Sequence, residues 1–194
     1  ALSNFASMLA LLGYPFLFEP WLASPQQSRA WSLAYAAFVL LCAGLAWRSR
    51  SLPALERARP TAEEAAEPGP TARTLIVWLA LASMGSVMLL AVSNHLTQNV
   101  SSIPLLWVVP LALYLLTFIL CFEGTRWYRR DAYLGVLVWI VCVMAWFLAD
   151  KRLQFELAWQ VGVFAVGLYV VCMFCHGELA RLRPGPRHLT LFYL

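Results

Sequence analysis

Residues 74–93 form a run with no Asp, Glu, Lys, Arg or His, and residues 30–47, 103–122, 132–149 and 157–175 repeat it. A run of about twenty apolar residues is the length a helix needs to cross a bilayer core of about 30 Å. Inside hydrocarbon every backbone N–H and C=O must be paired within its own segment, so such runs have to be helices. Alternating strands of about ten residues, the mark of a membrane β-barrel, are absent. Composition agrees: 61% of the 194 residues are hydrophobic and 12% charged, against about 45–50% and about 25% for a soluble domain. The fold class read from this pattern is all-α, a polytopic transmembrane helix bundle with about six spanning helices.

The blocks lie at about 1–18, 30–47, 74–93, 103–122, 132–149 and 155–175. Residues 1–47 therefore hold transmembrane helices 1 and 2, and 74–175 hold helices 3 to 6. Between them, 48–73 is a linker rich in Pro, Glu and Arg, with room for a marginal helix around 62–67. Residues 176–194 form a basic tail and the start of a further apolar segment. Small residues four apart, Ser3 with Ser7 and Ala6 with Ala10, suit close helix approach, as do Gly135, Gly162 and Gly167. Pro15 and Pro110 are placed to kink their helices, and Pro104 to open one. With no initiator Met and an apolar stretch at 189–194, both ends read as cut edges of a longer polypeptide.

Eleven of the fourteen basic residues fall in three places, 48–73, 126–130 and 181–187, and the other three, Arg29, Lys151 and Arg152, fall in the alternate loops. That loop-by-loop alternation is what a six-span zigzag requires, and the Arg-rich side is expected to be cytoplasmic. The net charge of +4 is thereby assigned to topology and not to nucleic acid. Trp21, Trp31, Trp47, Trp107 and Trp127 fall near block ends, as interfacial aromatic belts do.

Residues able to carry chemistry are few. Asn94, His95, Thr97 and Gln98 crowd hydrogen-bonding side chains into a polar hinge, 94–102, which reads either as a solvated loop or as the lining of a small polar pocket. His176, Glu178, Arg181, Arg183 and His188 form a basic inner tail, a candidate docking surface for a cytoplasmic domain. Cys172, Cys175 and His176 spell C-x-x-C-H, the c-type haem attachment string, but at the wrong end of a helix for haem attachment. The reading preferred here is two packing thiols and an interfacial His. No metal site, cofactor or catalytic residue is assigned. The spans hold none of the ionisable groups that pumps and ion-coupled transporters use.

Four stretches in order resemble one family: Ala1-Leu-Ser-Asn…Leu11-Leu-Gly-Tyr-Pro-Phe-Leu-Phe-Glu-Pro20, Ser93-Asn-His-Leu-Thr-Gln98, Pro104-Leu-Leu-Trp-Val-Val-Pro-Leu-Ala-Leu-Tyr-Leu-Leu-Thr-Phe118, and Cys175-His-Gly-Glu-Leu-Ala-Arg-Leu-Arg-Pro184 with Pro186-Arg-His-Leu-Thr190…Phe192-Tyr193. Together they resemble the membrane portion of bacterial spermidine-synthase-like proteins, fusions of a major-facilitator-like region with a spermidine synthase domain. The resemblance implies a cytoplasmic aminopropyltransferase-type domain, lying outside these residues, that takes decarboxylated S-adenosylmethionine and a polyamine. The Gly-rich nucleotide loop and acidic substrate residues of such a domain do not occur in this segment, which alone is not an enzyme. The expected role is a membrane anchor and scaffold whose partners are the bilayer and that domain. The alternatives are transport of a polyamine-like cation, or an accessory subunit of a larger membrane assembly. The resemblance implies the bacterial inner membrane, and the distribution of Lys and Arg then makes 48–73, 123–131 and 176–188 cytoplasmic and 94–102 and 150–154 periplasmic.

Overall fold

A computed structural model describes residues 2–50, 69–100, 106–124, 126–149 and 157–193. Among these residues every regular element is helical. We number the α-helices α1 (Leu2–Gly13), α2 (Ser24–Ser49), α3 (Ala72–His95), α4 (Val108–Glu123), α5 (Arg130–Ala149), α6 (Leu157–Arg181) and α7 (Leu189–Tyr193). The all-α bundle read from the apolar blocks is what the chain forms. Four helices are long and apolar enough to cross a membrane: α2, α3 with its continuation to Gln98, α5 and α6. The other two expected spans are helices of shorter extent, Ser3–Phe18 and Val108–Glu123.

The chain divides into two units, 13–68 and a second made of 1–12 with 69–194. The first opens where α1 ends, with a π-helical turn, Tyr14–Phe18. Proline has no N–H for a helical ladder, and Pro15 stands in this widened turn, which closes with Glu19 N–H donating to Tyr14 O at 3.0 Å. α2 opens on Pro25 in its first turn, and the Gln26 side chain accepts from the Ala23 N–H at 3.2 Å. No residue of α2 is buried, and its exposed surface is apolar, with Trp31, Phe38, Leu41 and Trp47 among it.

The second unit is built on α6. α3, α4 and α5 each pack against α6, whereas α3 and α4 touch one another less and α5 packs chiefly on α6. In lipid the hydrophobic effect does not draw helices together, so small residues and interhelical polar contacts must. α3 is capped by Thr71, whose side chain accepts from Thr74 N–H at 3.3 Å, and it buries Trp78, Gly85 and Val92. These are seven residues apart, so they make one seam against the centre. At the far end Val92, Leu96, Met144, Phe164, Leu168 and Cys172 form the core. A side chain at Gly167 would run into Met144 of α5, so that glycine sets how closely the two helices meet.

Three expectations change here. The polar stretch at 94–102 is not a loop as far as it is described: α3 continues through His95 into a π-helical turn, Leu96–Val100. The apolar Leu96, fully buried, holds that turn on the bundle. Pro110 makes no kink, because α4 starts at Val108 and proline is tolerated in a first turn. The tail at 176 is not a tail: α6 runs on to Arg181 because its last turns are packed on α3 and α4. The chain then bends through a 3₁₀ turn, Pro186–His188, into α7. There Phe192 meets Trp78 edge-on, with ring centroids 4.9 Å apart. The loop 150–154, Pro104 and most of the linker 48–73, including the helix at 62–67, lie outside the described residues.

Candidate functional site

The Arg-rich end of the second unit gathers its polar groups around one carboxylate. Glu178 lies on the last turns of α6 with its side chain 14% exposed. Its Oε1 accepts from the Tyr128 hydroxyl at 2.7 Å and from Arg181 Nη1 at 3.3 Å. Arg130 Nε, on the first residue of α5, stands 3.6 Å away. One acid thus joins the α4–α5 connection, the start of α5 and the end of α6. Charge-assisted bonds of this kind are the stronger class. Tyr128 can reach the carboxylate because residue 177 is glycine: a Cβ there would overlap the tyrosine ring. Burial first, and then the bond to Glu178, hold the Tyr128 phenol well above the usual tyrosine range.

Beside this cluster lies a half-open cleft of about 590 Å3, lined by Cys121, Phe122, Glu123, Gly124, Tyr128, Gly177, Ala180, Arg181 and Arg183. Arg183 is held over the ring of Tyr193, 6.0 Å from its centroid. Among the described residues, Trp78 Nε1 and His188 Nε2 are buried without a hydrogen-bond partner.

Two residues before Glu178 on α6, His176 is 2% exposed. Its Nδ1 lies 3.1 Å from Thr117 Oγ1. The Thr117 hydroxyl proton is engaged by Tyr114 O at 2.8 Å. The threonine oxygen is then an acceptor, which selects the Nδ1–H tautomer of the imidazole. The rings of Tyr114 and Phe118 stand edge-on to the imidazole, with centroids 4.8 and 5.3 Å away. Gly85 of α3 packs beside the imidazole: a Cβ there would stand 3.4 Å from His176 Nε2, an ordinary contact distance. Cys172 points its thiol at Gly85 O, 3.9 Å away.

Of the docking residues read from sequence, Arg181 and Arg183 come together at the cleft, with Glu178 beside it bonded to Arg181. His176 does not belong with them: the helix carries it into the interior, where it cannot meet a partner domain. His188 turns its Nε2 inward. Cys172 and Cys175 are buried within α6, the place of packing thiols. The polar quartet of the far end is dispersed by its helix. Asn94 and Gln98 are exposed. Thr97 bonds back to Ser93 O at 2.8 Å, and His95 packs on Phe164 with centroids 4.2 Å apart. Among the described residues no group of three His, Cys, Asp or Glu could hold a metal.

Sequence reasoning missed Tyr128, Gly177, Thr117, Tyr114 and Gly85, and it took Arg130 for a topological charge alone. The glycine inside His176-Gly177-Glu178 was the one local signal, because a helical glycine marks close approach. Comparison with protein-family models, with curated proteins and with solved structures finds no match for this chain.

Proposed function

We propose that the chain is the membrane-anchoring scaffold of a spermidine-synthase-like protein and presents a rigid polar end to an aminopropyltransferase-type domain in the cytoplasm. The observation that carries this reading is the Glu178 cluster, which stiffens the Arg-rich end by tying three chain segments to one partly buried carboxylate. A platform of this kind gives a partner domain charges in fixed places, and Arg130 and Arg181, each about half exposed, keep donors outward. The resemblance of four stretches to the spermidine-synthase-like family supports the identity of that partner.

Transport of a polyamine-like cation has less support. A polycation crossing hydrocarbon needs acids at depth, and the apolar runs 74–93, 103–122, 132–149 and 157–175 carry none. The buried ionisable group on α6, His176, is occupied by Thr117 and walled by aromatic rings.

Expression of the full open reading frame tests the reading. Aminopropyl transfer from decarboxylated S-adenosylmethionine to a polyamine should sediment with the membranes. Proteoliposomes should take up labelled spermidine no faster than empty vesicles. Saturable uptake, or an open reading frame with no downstream nucleotide-binding domain, refutes the scaffold.

A further inference from the structure

The cleft at the Arg-rich end offers both signs of charge. Arg181 and Arg183 line it, and neither is a loose side chain. Arg181 is steadied by Glu178 and Arg183 by the ring of Tyr193. A guanidinium presents paired N–H donors that match phosphate oxygens. The same lining includes Glu123, which makes no ion pair among the described residues. It also includes Gly124, whose extended backbone ends α4. The last carbonyls of a helix lack intrahelical donors and carry the negative end of its dipole, so they favour a cation with N–H groups. An anion alone would face Glu123 and the C-terminal ends of α4 and α6. A cation alone would face two guanidinia. A ligand carrying both charges close together satisfies the whole lining, and 590 Å3 lies in the range of small-molecule sites, about 300–1,000 Å3. The cleft lies at the C-terminal ends of α4 and α6; α6 is long and apolar enough to cross a membrane, and the nearby chain exposes Trp127 and Leu182, residue types that suit the headgroup level.

We propose that this cleft binds the phosphoethanolamine headgroup of a membrane phospholipid, its phosphodiester on Arg181 and Arg183 and its primary ammonium on Glu123 and the last carbonyls of α4. The small residues Gly124 and Ala180 let the headgroup sit against backbone, and Phe122 lies beside the first methylenes of the glycerol ester. A choline headgroup, which has no N–H, loses the second half of the site, and a glycerol headgroup loses its charge.

The test uses the purified chain in non-ionic detergent, stripped of lipid and offered equal amounts of phosphatidylethanolamine, phosphatidylglycerol and phosphatidylcholine, with retained lipid read by native mass spectrometry. One phosphatidylethanolamine should be retained, favoured at least about tenfold over phosphatidylcholine. Arg183→Ala should lower retention of all three about tenfold. Glu123→Gln should abolish the preference for ethanolamine while leaving phosphatidylglycerol bound as before. If Arg183→Ala fails to fold, Arg183→Lys serves in its place, with a drop of a few fold. Equal retention of the three lipids, or arginine variants that bind as the parent does, overturns the proposal. Soluble O-phosphoethanolamine displacing the lipid at equal concentration would assign the same chemistry to a soluble ligand and overturn the membrane source.

Discussion

A methyl group at Gly177 would meet the ring of Tyr128, including the ring carbon nearest its backbone, so the ring cannot swing clear without leaving Glu178. Gly177→Ala should therefore cost about 1–3 kcal/mol, the usual range for overpacking, measured by thermal unfolding in detergent. Tyr128→Phe removes the bond but not the bulk and should cost about 1–2 kcal/mol. The tyrosine also fixes a pH dependence. Its folded-state phenol titrates above the usual tyrosine value, so its contribution is whole below the unfolded value of about 10. It is lost as pH rises through the higher folded value. Stability should fall above about pH 10, and Tyr128→Phe should flatten that part of the profile. Deeper in the bundle, Thr117→Val leaves His176 Nδ1 without its acceptor and should cost about 1–2 kcal/mol, and the double variant Thr117→Val with His176→Leu should cost less than the sum. None of these pairings was legible beforehand, because their partners lie fifty or more residues apart and no periodicity encodes such a distance.

At the scale of the helix, glycines sort themselves by what faces them. Gly162 and Gly135 have nothing within 4 Å of a built Cβ, whereas Gly167 opposes Met144. Alanine at 162 should be neutral to within about 0.5 kcal/mol. Alanine at 167 should cost more, moderated by the pliable thioether of Met144, and Met144→Ala should recover part of the loss; the same unfolding measurement ranks all three. The sequence marked all of these positions as candidates for close packing but held no means of choosing among them, since the choice depends on which helix lies opposite. It placed the helices themselves well, because a spanning run is a property of local composition. Their ends were placed less well: hydropathy stops counting at the polar His176 and Asn94, while the backbone continues wherever neighbours keep it packed.

For the molecule as a whole, the alternation of arginine-rich and arginine-poor loops predicts which residues share a side. Single cysteines at Gln98 and Arg129, both exposed, should react with an impermeant maleimide from opposite faces of the membrane, provided the natural Cys42 and Cys142, which are exposed, are first replaced. Labelling of both from one face would contradict the zigzag. The candidate cleft was half visible in sequence: its charges stood out as a basic tail, but its walls come from α4 and from the α4–α5 connection, which looked like lipid-facing apolar residues and a topological loop.

The central position of α6 bears on biosynthesis. It leaves the ribosome after α3, α4 and α5, yet all three depend on it for their packing. Each of those three enters the lipid before its principal partner exists and must wait there, solvated by acyl chains. A nascent chain arrested before residue 157 would leave three orphaned segments for quality-control proteases, and assembly of this unit becomes a single late step.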